Sequence, residues 1–170
     1  MSDIPIQIVD ENDQPVGAAT GSEAWTNGLI HRIARIMVED LRGRVLLQKR
    51  SSNSTLYPSC WDNSAAGHVD EGESYEIAAN REASEEIGLK NVKLEAIGYY
   101  RSSDHYQNKI LNRFNKVYRV VIDPDTIFKV DPGEVSEVRW FTIDEVKKLI
   151  ADHPDQVTDG ILQVFENFYK

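Results

Sequence analysis

Between Gly67 and Leu89 the chain reads GHVDEGESYEIAANREASEEIGL, and its carboxylates are Asp70, Glu71, Glu73, Glu76, Glu82, Glu85 and Glu86. On a helix, residues three and four apart are neighbours, so Glu82 lies beside both Glu85 and Glu86, and like charges at that spacing destabilise an isolated helix. A divalent cation removes the conflict, because hard metals take carboxylate oxygens at roughly 2.0–2.6 Å. At about 100° per residue, Glu82 and Glu86 border the apolar stripe Tyr75, Ala79, Ala83, Ile87, whereas Glu85 points away from it. Two acids at the edge of a packed face suit a partly buried metal site. A glutamate run taken alone is more often a solvated helix face. Glu73, at the helix start, and Arg81, eight residues on, can brace the preceding loop against the helix. Gly67 and Gly72 flank the strand-to-helix turn, where the backbone needs a positive φ or a close approach.

The elements that must hold this stretch follow from periodicity and punctuation. Residues 74–87 read as a helix that ends at Gly88, a common stop. Residues 5–9 read as a short strand and Asp10 to Pro15 as a turn. Residues 31–39 and 44–49 read as strands around the turn 40–43, and 50–60, rich in Ser and Asn, as a loop. Strands are expected at 92–101, 113–122 and 137–141, and helices at about 142–152 and 158–169. Strands, helix, strands, helices in that order give α+β, a mixed sheet with helices packed on its faces. The expected organisation is an N-terminal extension with short strands over 1–29, packing on one domain over 30–170.

The spacing Gly, five residues, Glu, seven residues, Arg-Glu-apolar-x-Glu-Glu-x-Gly-apolar resembles the signature of the Nudix hydrolases. It is met here by Gly67, Glu73, Arg81, Glu82, Ala83, Glu85, Glu86, Gly88 and Leu89, with Ala83 a small residue at an aliphatic position. The resemblance covers roughly residues 30–165. It implies the Nudix fold, a mixed β-sheet sandwiched between α-helices, and hydrolysis of a diphosphate linkage in a nucleoside diphosphate derivative or similar small molecule. Glu82, Glu85, Glu86 and the Gly67 carbonyl would hold Mg2+ or Mn2+, while Glu73, Arg81 and Gly88 would be structural. Such a metal would neutralise phosphate oxygens, orient a water and lower its pKa. For the base that takes the water's proton, Glu85, Glu134 and Glu137 are candidates, and the catalytic set is expected among Glu85, Glu86 and Glu137.

Residues 43–69, VDENDQPVG near the N-terminus and His31-Arg32 also resemble type-1 isopentenyl diphosphate isomerase, a Nudix-fold enzyme. That resemblance implies a catalytic cysteine two residues before His68, where Ala66 stands, and a Glu-x-Glu in the stretch Asn112 to Val117, which holds no carboxylate. Hydrolysis is therefore the preferred expectation. A catalytically silent Nudix-fold binding module is the alternative from another class, and the isomerase is disfavoured. Lys49 and Arg50, at a strand end, and His68, on the pocket, are candidate substrate contacts. Arginine suits phosphate by bidentate geometry, though a plain cationic strand end explains the first two equally well. His31 is expected to be structural. Tyr57, Trp61 and Tyr106 either stack on a base or pack in the core.

Composition bounds the rest. A chain of 170 residues with 41% hydrophobic and 28% charged residues fits one globular domain. With 19 basic and 28 acidic side chains the net charge is −9, a poor balance for a nucleic acid polymer, which is held mainly by Lys and Arg on phosphates. Cys60 is the single cysteine, so no internal disulfide can form. Met1 to Pro5 lack a basic stretch followed by an apolar run, and no segment approaches 18 consecutive apolar residues. The expectation is a cytoplasmic protein with no membrane partner. Two-fold dimers are the commonest closed assembly, so a homodimer is the base-rate expectation.

Overall fold

The computed structural model describes residues 4–170. In chain order its elements are β1 (Ile6–Val9), β2 (Pro15–Ala19), α1 (Gly21–Asn27), β3 (His31–Asp40), β4 (Val45–Arg50), β5 (Trp61–Asp62), β6 (Ala65–His68), α2 (Tyr75–Ile87), β7 (Glu95–Tyr106), β8 (Lys109–Ile122), β9 (Val135–Phe141), α3 (Ile143–Asp152) and α4 (Asp159–Phe168). A short 3-10 turn, Pro154–Gln156, links the last two helices. β3 is the hub of the sheet. It pairs antiparallel with β1, β4 and β6, and parallel with β8 from His31↔Arg113 to Asp40↔Ile122. The sheet is therefore mixed, as expected, and the fold is the expected α+β arrangement.

Buried on both faces, β3 reads as an almost continuous apolar run, which is how the central strand of a covered sheet should read. Ala34, Ile36 and Val38 pack toward α2 with Val69, Ala79, Ala83 and Ile87. Met37 packs on the other face with Leu47, Val117, Val146, Ile161 and Phe165, under α3 and α4. Each of these three helices starts on a side-chain cap. Ser74, Thr142 and Thr158 accept the backbone N–H groups of Ile77, Glu145 and Ile161, satisfying donors that a helix start leaves free.

The structure adds to the sequence expectation the short strands β5 and β6, a long hairpin and a first helix. The strands expected at 92–101 and 113–122 continue into one long hairpin, closed at Gln107-Asn108 with Gln107 at φ +54°. Two-residue hairpin turns need positive φ, which Asn and Gly announce better than Gln does. The helix Gly21–Asn27 was not anticipated, although Thr20 and Glu23 form a capping box and Gly28 closes it at φ +65°. It is only seven residues long, too short for a visible 3.6-residue period.

The turn after β1 is tied to the domain through Asp13. The Asp13 carboxylate accepts the hydroxyls of Tyr75 and Tyr99, each at 2.8 Å, and Nε of Arg32 at 2.6 Å. Tyr75 is the first residue of α2, so this clamp helps fix where the helix begins. Asp13→Asn keeps the positive-φ tolerance of the position but removes the charge. The expected outcome is a loss of about 1–3 kcal/mol, read as a thermal midpoint lower by several degrees.

Candidate active site

α2 carries its glutamates against β6. Glu82 is 8% and Glu86 3% exposed, while Glu85 is exposed, which is the division the helical spacing implies. Glu86 Oε1 accepts the Ala66 N–H at 2.7 Å. A Cβ at position 67 would collide with the Glu82 carboxyl group and force it aside, so glycine here leaves that carboxyl its place. A third carboxylate comes from the turn before β9, where Glu134 N–H donates to Asp131 O at 3.0 Å and Glu134 O accepts the Ser51 N–H at 2.9 Å. Carboxylate oxygens of Glu82, Glu86 and Glu134 lie within 4.8 Å of one another.

This clustering shows in the acidities. Burial, ahead of any charge, lifts the Glu82 carboxyl to about 7, with Glu134 and Glu85 adding to the rise and Arg81 opposing it. Burial and then the charge of Glu82 hold Glu86 well above the ordinary carboxylate range. Glu86 has one neutral N–H donor and no ion pair among the described residues. A buried carboxylate without a counter-charge is costly, and a hard divalent cation between three carboxylate oxygens supplies it. The donor set thus fits Mg2+ or Mn2+.

Arg81 braces the loop that precedes the helix. Its Nε and Nη2 donate to the two oxygens of Glu73 at 2.8 and 2.9 Å, and Nη2 also donates to His68 O at 3.0 Å. Nη1 donates to Glu82 Oε1 at 2.7 Å and reaches Glu85 Oε2 at 3.5 Å. Glu73 Oε2 in turn accepts the Asp70 N–H at 2.9 Å. Gly88 ends α2 at φ +71°, and a Cβ there would press on the Lys129 backbone.

The cluster opens on a cavity of about 350 Å³. Gly67, His68, Arg81, Glu82, Glu85 and Glu86 line it, and so do Arg50 and Glu134. Arg50 Nε donates to Leu56 O at 2.9 Å and Nη1 pairs with Asp62 at 3.3 Å. His68 packs edge-on to His31 at 5.2 Å between ring centroids, and burial lowers their imidazoles to about 3 and about 4, so both are neutral at pH 7. His31 is fully buried, with Nδ1 2.9 Å from Leu29 O. Tyr57 lines the cavity and packs on Tyr106, whereas Trp61 is 6% exposed and meets Phe141 in the core.

Two expected residues lie elsewhere. Lys49 and Glu137 are not among the residues lining the cavity. Successive side chains of a strand alternate between its faces. Arg50 faces the cavity, Lys49 lies over the Trp61 ring, and Glu137 sits opposite Lys49 across β4 and β9, beside Arg139. Of the acids named as candidate bases, Glu85 and Glu134 line the cavity, and Glu134 joins the carboxylate cluster.

The sequence reading also passed over the inner wall. Arg35, 3% exposed, donates from Nε to Asn115 Oδ1 at 3.0 Å and from Nη1 to Asn63 Oδ1 at 3.1 Å. Arg113 pairs with Asp104 at 3.2 Å and with Asp159. The available signal was an arginine inside the otherwise apolar run IARIMV.

The NUDIX domain family matches residues 29–160, and the chain belongs to that family. It is 34% identical over 166 residues to isopentenyl-diphosphate Delta-isomerase of Nocardia farcinica, covering 96% of this chain and 93% of that protein. It is 41% identical over 87 residues to an uncharacterized Nudix hydrolase of Streptomyces coelicolor, covering 51% of this chain and 48% of that protein. A solved structure from Deinococcus radiodurans shares the fold with a TM-score of 0.82 at 21% identity, covering 98% of this chain and 99% of that one. Among the described residues no helix is long and apolar enough to cross a membrane.

The acidity of Glu82 gives a signed test. Its folded value, about 7, lies above the ordinary glutamate value of 4.5, so between those pH values the folded state binds more protons than the unfolded one. Stability of the metal-free protein should therefore fall as pH rises from about 4.5 to about 7 at this group. Added Mg2+ should stabilise increasingly over the same interval, because ligands must be deprotonated to bind. Thermal unfolding with EDTA and with Mg2+ across that range checks both slopes. In the same assay Gly67→Ala should lower Mg2+ affinity roughly tenfold or more by displacing the Glu82 carboxylate.

Proposed function

We propose that this chain is a metal-dependent hydrolase that cleaves a diphosphate linkage in a nucleoside diphosphate derivative or similar small molecule. The observation that carries the reading is the meeting of Glu82, Glu86 and Glu134 on the cavity wall, with no ion pair to Glu86 among the described residues. In this reading those three residues hold Mg2+ or Mn2+, together with the Gly67 carbonyl. The bound metal would supply charge neutralisation at the phosphate oxygens and a more acidic water. Glu85 lines the cavity but stands outside the three-carboxylate cluster, so it is the residue assigned to take the water's proton as oxygen bonds to phosphorus and the bridging P–O bond breaks. Arg50 and His68 line the substrate space, and Arg81 positions Glu73 and Glu82 without touching the reacting atoms.

The named relative brings isomerisation forward as a second reading. Double-bond migration needs a proton donor and acceptor on the substrate carbons. Ala66 stands at the resembling cysteine position and has no titratable atom, and its N–H is committed to Glu86. In the Glu-x-Glu stretch Arg113 is tied to Asp104 and Asp159, and Asn115 accepts from Arg35. These residues offer hydrogen bonds and positive charge but no proton relay, which favours hydrolysis.

The test is a screen of diphosphate compounds with Mg2+, reading phosphate or nucleotide release. Glu86→Gln should lose both Mg2+ affinity and turnover. Glu85→Gln should keep Mg2+ affinity within a few fold and lose about 10²–10⁴ in kcat, the usual contribution of a general base. Conversion of isopentenyl diphosphate to dimethylallyl diphosphate would replace the hydrolase reading with the isomerase. Ligand binding without any turnover would replace it with a binding module.

A further inference from the structure

Four arginines line the cavity, and three of them are already matched to carboxylates. Arg50 pairs with Asp62, Arg81 with Glu73 and Glu82, and Arg113 with Asp104 and Asp159. Among the described residues Arg35 is in no ion pair, and the carboxylates of Asp62 and Asp159, each paired to another arginine, act on it only from farther off. It is 3% exposed, its Nε and Nη1 donate to the neutral amide oxygens of Asn115 and Asn63, and among the described residues Nη2 has no geometrically formed hydrogen bond. Beside it the Tyr100 hydroxyl offers a further oxygen that is likewise neutral. A buried guanidinium cannot escape its charge by losing a proton, so desolvation costs it heavily unless an anion comes to it.

A second feature adds positive potential at the same place. Gly160, in the first turn of α4, lies so close that a Cβ there would collide with the Arg35 guanidinium. Thr158 and Asp159, which open that helix, line the cavity with Arg35. A helix start directs N–H groups and partial positive charge outward. Thr158 caps one of those N–H groups, and Asp159 is taken by Arg113.

We propose that Arg35 receives the unesterified terminal phosphate of the substrate, so that the site selects diphosphate monoesters over diphosphates esterified at both ends. The assignment rests on the diphosphate reading given above and narrows it to substrates with one free phosphate end, such as a nucleoside diphosphate itself. A terminal phosphate carries close to two negative charges at pH 7 and offers paired oxygens that match a guanidinium. Esterifying it removes one charge and puts carbon where the guanidinium needs oxygen. Space argues the same way. At about 350 Å³ the cavity is near the lower end of small-molecule sites, roughly 300–1,000 Å³, and Ile6 and Trp25 close one wall.

The probes are methyl diphosphate and P1,P2-dimethyl diphosphate, which differ by one methyl group, titrated by calorimetry into full-length protein with Mg2+. The wild type should bind the monoester about tenfold or more tightly than the diester, the size of one charge-assisted hydrogen bond. In Arg35→Gln that preference should shrink to about threefold or less, while Arg35→Lys, which keeps the charge, should retain most of it. Equal binding of the two probes by the wild type overturns the proposal. So does an undiminished preference in Arg35→Gln, or no binding of either probe at millimolar concentration. Should Arg35→Gln not fold, the wild-type ratio and Arg35→Lys decide. A selective, Arg35-dependent binding with no phosphate release from any diphosphate would leave this subsite standing and remove the hydrolase reading.

Discussion

Two carboxylates on one helical turn, both buried and both facing the same strand, are the constraint around which this molecule is arranged. Glu82 and Glu86 repel each other and lose solvation where α2 meets β6. The surrounding residues hold that arrangement instead of relieving it. Gly67 leaves room for the Glu82 carboxyl, the Ala66 N–H fixes one oxygen of Glu86, and Arg81 partly offsets Glu82 while gripping the loop through Glu73. The apolar packing of Ala79, Ala83 and Ile87 on β3 provides the stability against which the charge clustering is set. A site left electrostatically unsatisfied by its own chain is one that gains most from a bound cation.

Much of this was legible because helical spacing is rigid. Once 74–87 is a helix, the positions of Glu82, Glu85 and Glu86 relative to the apolar stripe follow from 100° per residue, and their exposures agree. Glu73 and Arg81 meet across the helix start for the same reason. The third carboxylate was harder. Glu134 and Glu137 are both acids near the start of β9, and which one reaches the helix depends on the turn Asp131–Glu134 and on the face a strand residue takes once β9 pairs with β4. Neither is a local property of the sequence.

Arg35 was illegible for a related reason. In sequence it is a cation interrupting an apolar strand, which gives no clue to the face it takes or to what surrounds it. Its environment is assembled from Asn63, Asn115 and the start of α4, which lie 28, 80 and more residues away along the chain. Long-range pairing of β3 with β8 decides that Asn115 and Arg113 line up beside His31, Ile33 and Arg35. Local propensity cannot anticipate such a neighbourhood, and sites at sheet crossings commonly draw on it.

The same sheet explains how this chain and an isomerase relative can be alike over most of their length while the chemistry proposed for this one differs. Identity of 34% over 96% of the chain speaks to the shared frame, and fold by itself does not fix the reaction. The reaction turns on a few side chains that β6 and β8 present to the space beside β3. Here those strands present Ala66, Arg113 and Asn115. Each is already used: the first through its N–H to Glu86, the second in ion pairs with Asp104 and Asp159, the third as an acceptor for Arg35. A carboxylate-rich proton relay at these positions would have to displace the arginine and leave Asp104 and Asp159 without their cation. The inner wall therefore holds its arginines among paired aspartates, Asp62, Asp104 and Asp159, whereas the clustered carboxylates are those of α2 and the turn before β9. A diphosphate lying between the two would meet Arg35 on one side and, through a bound cation, the carboxylate cluster on the other.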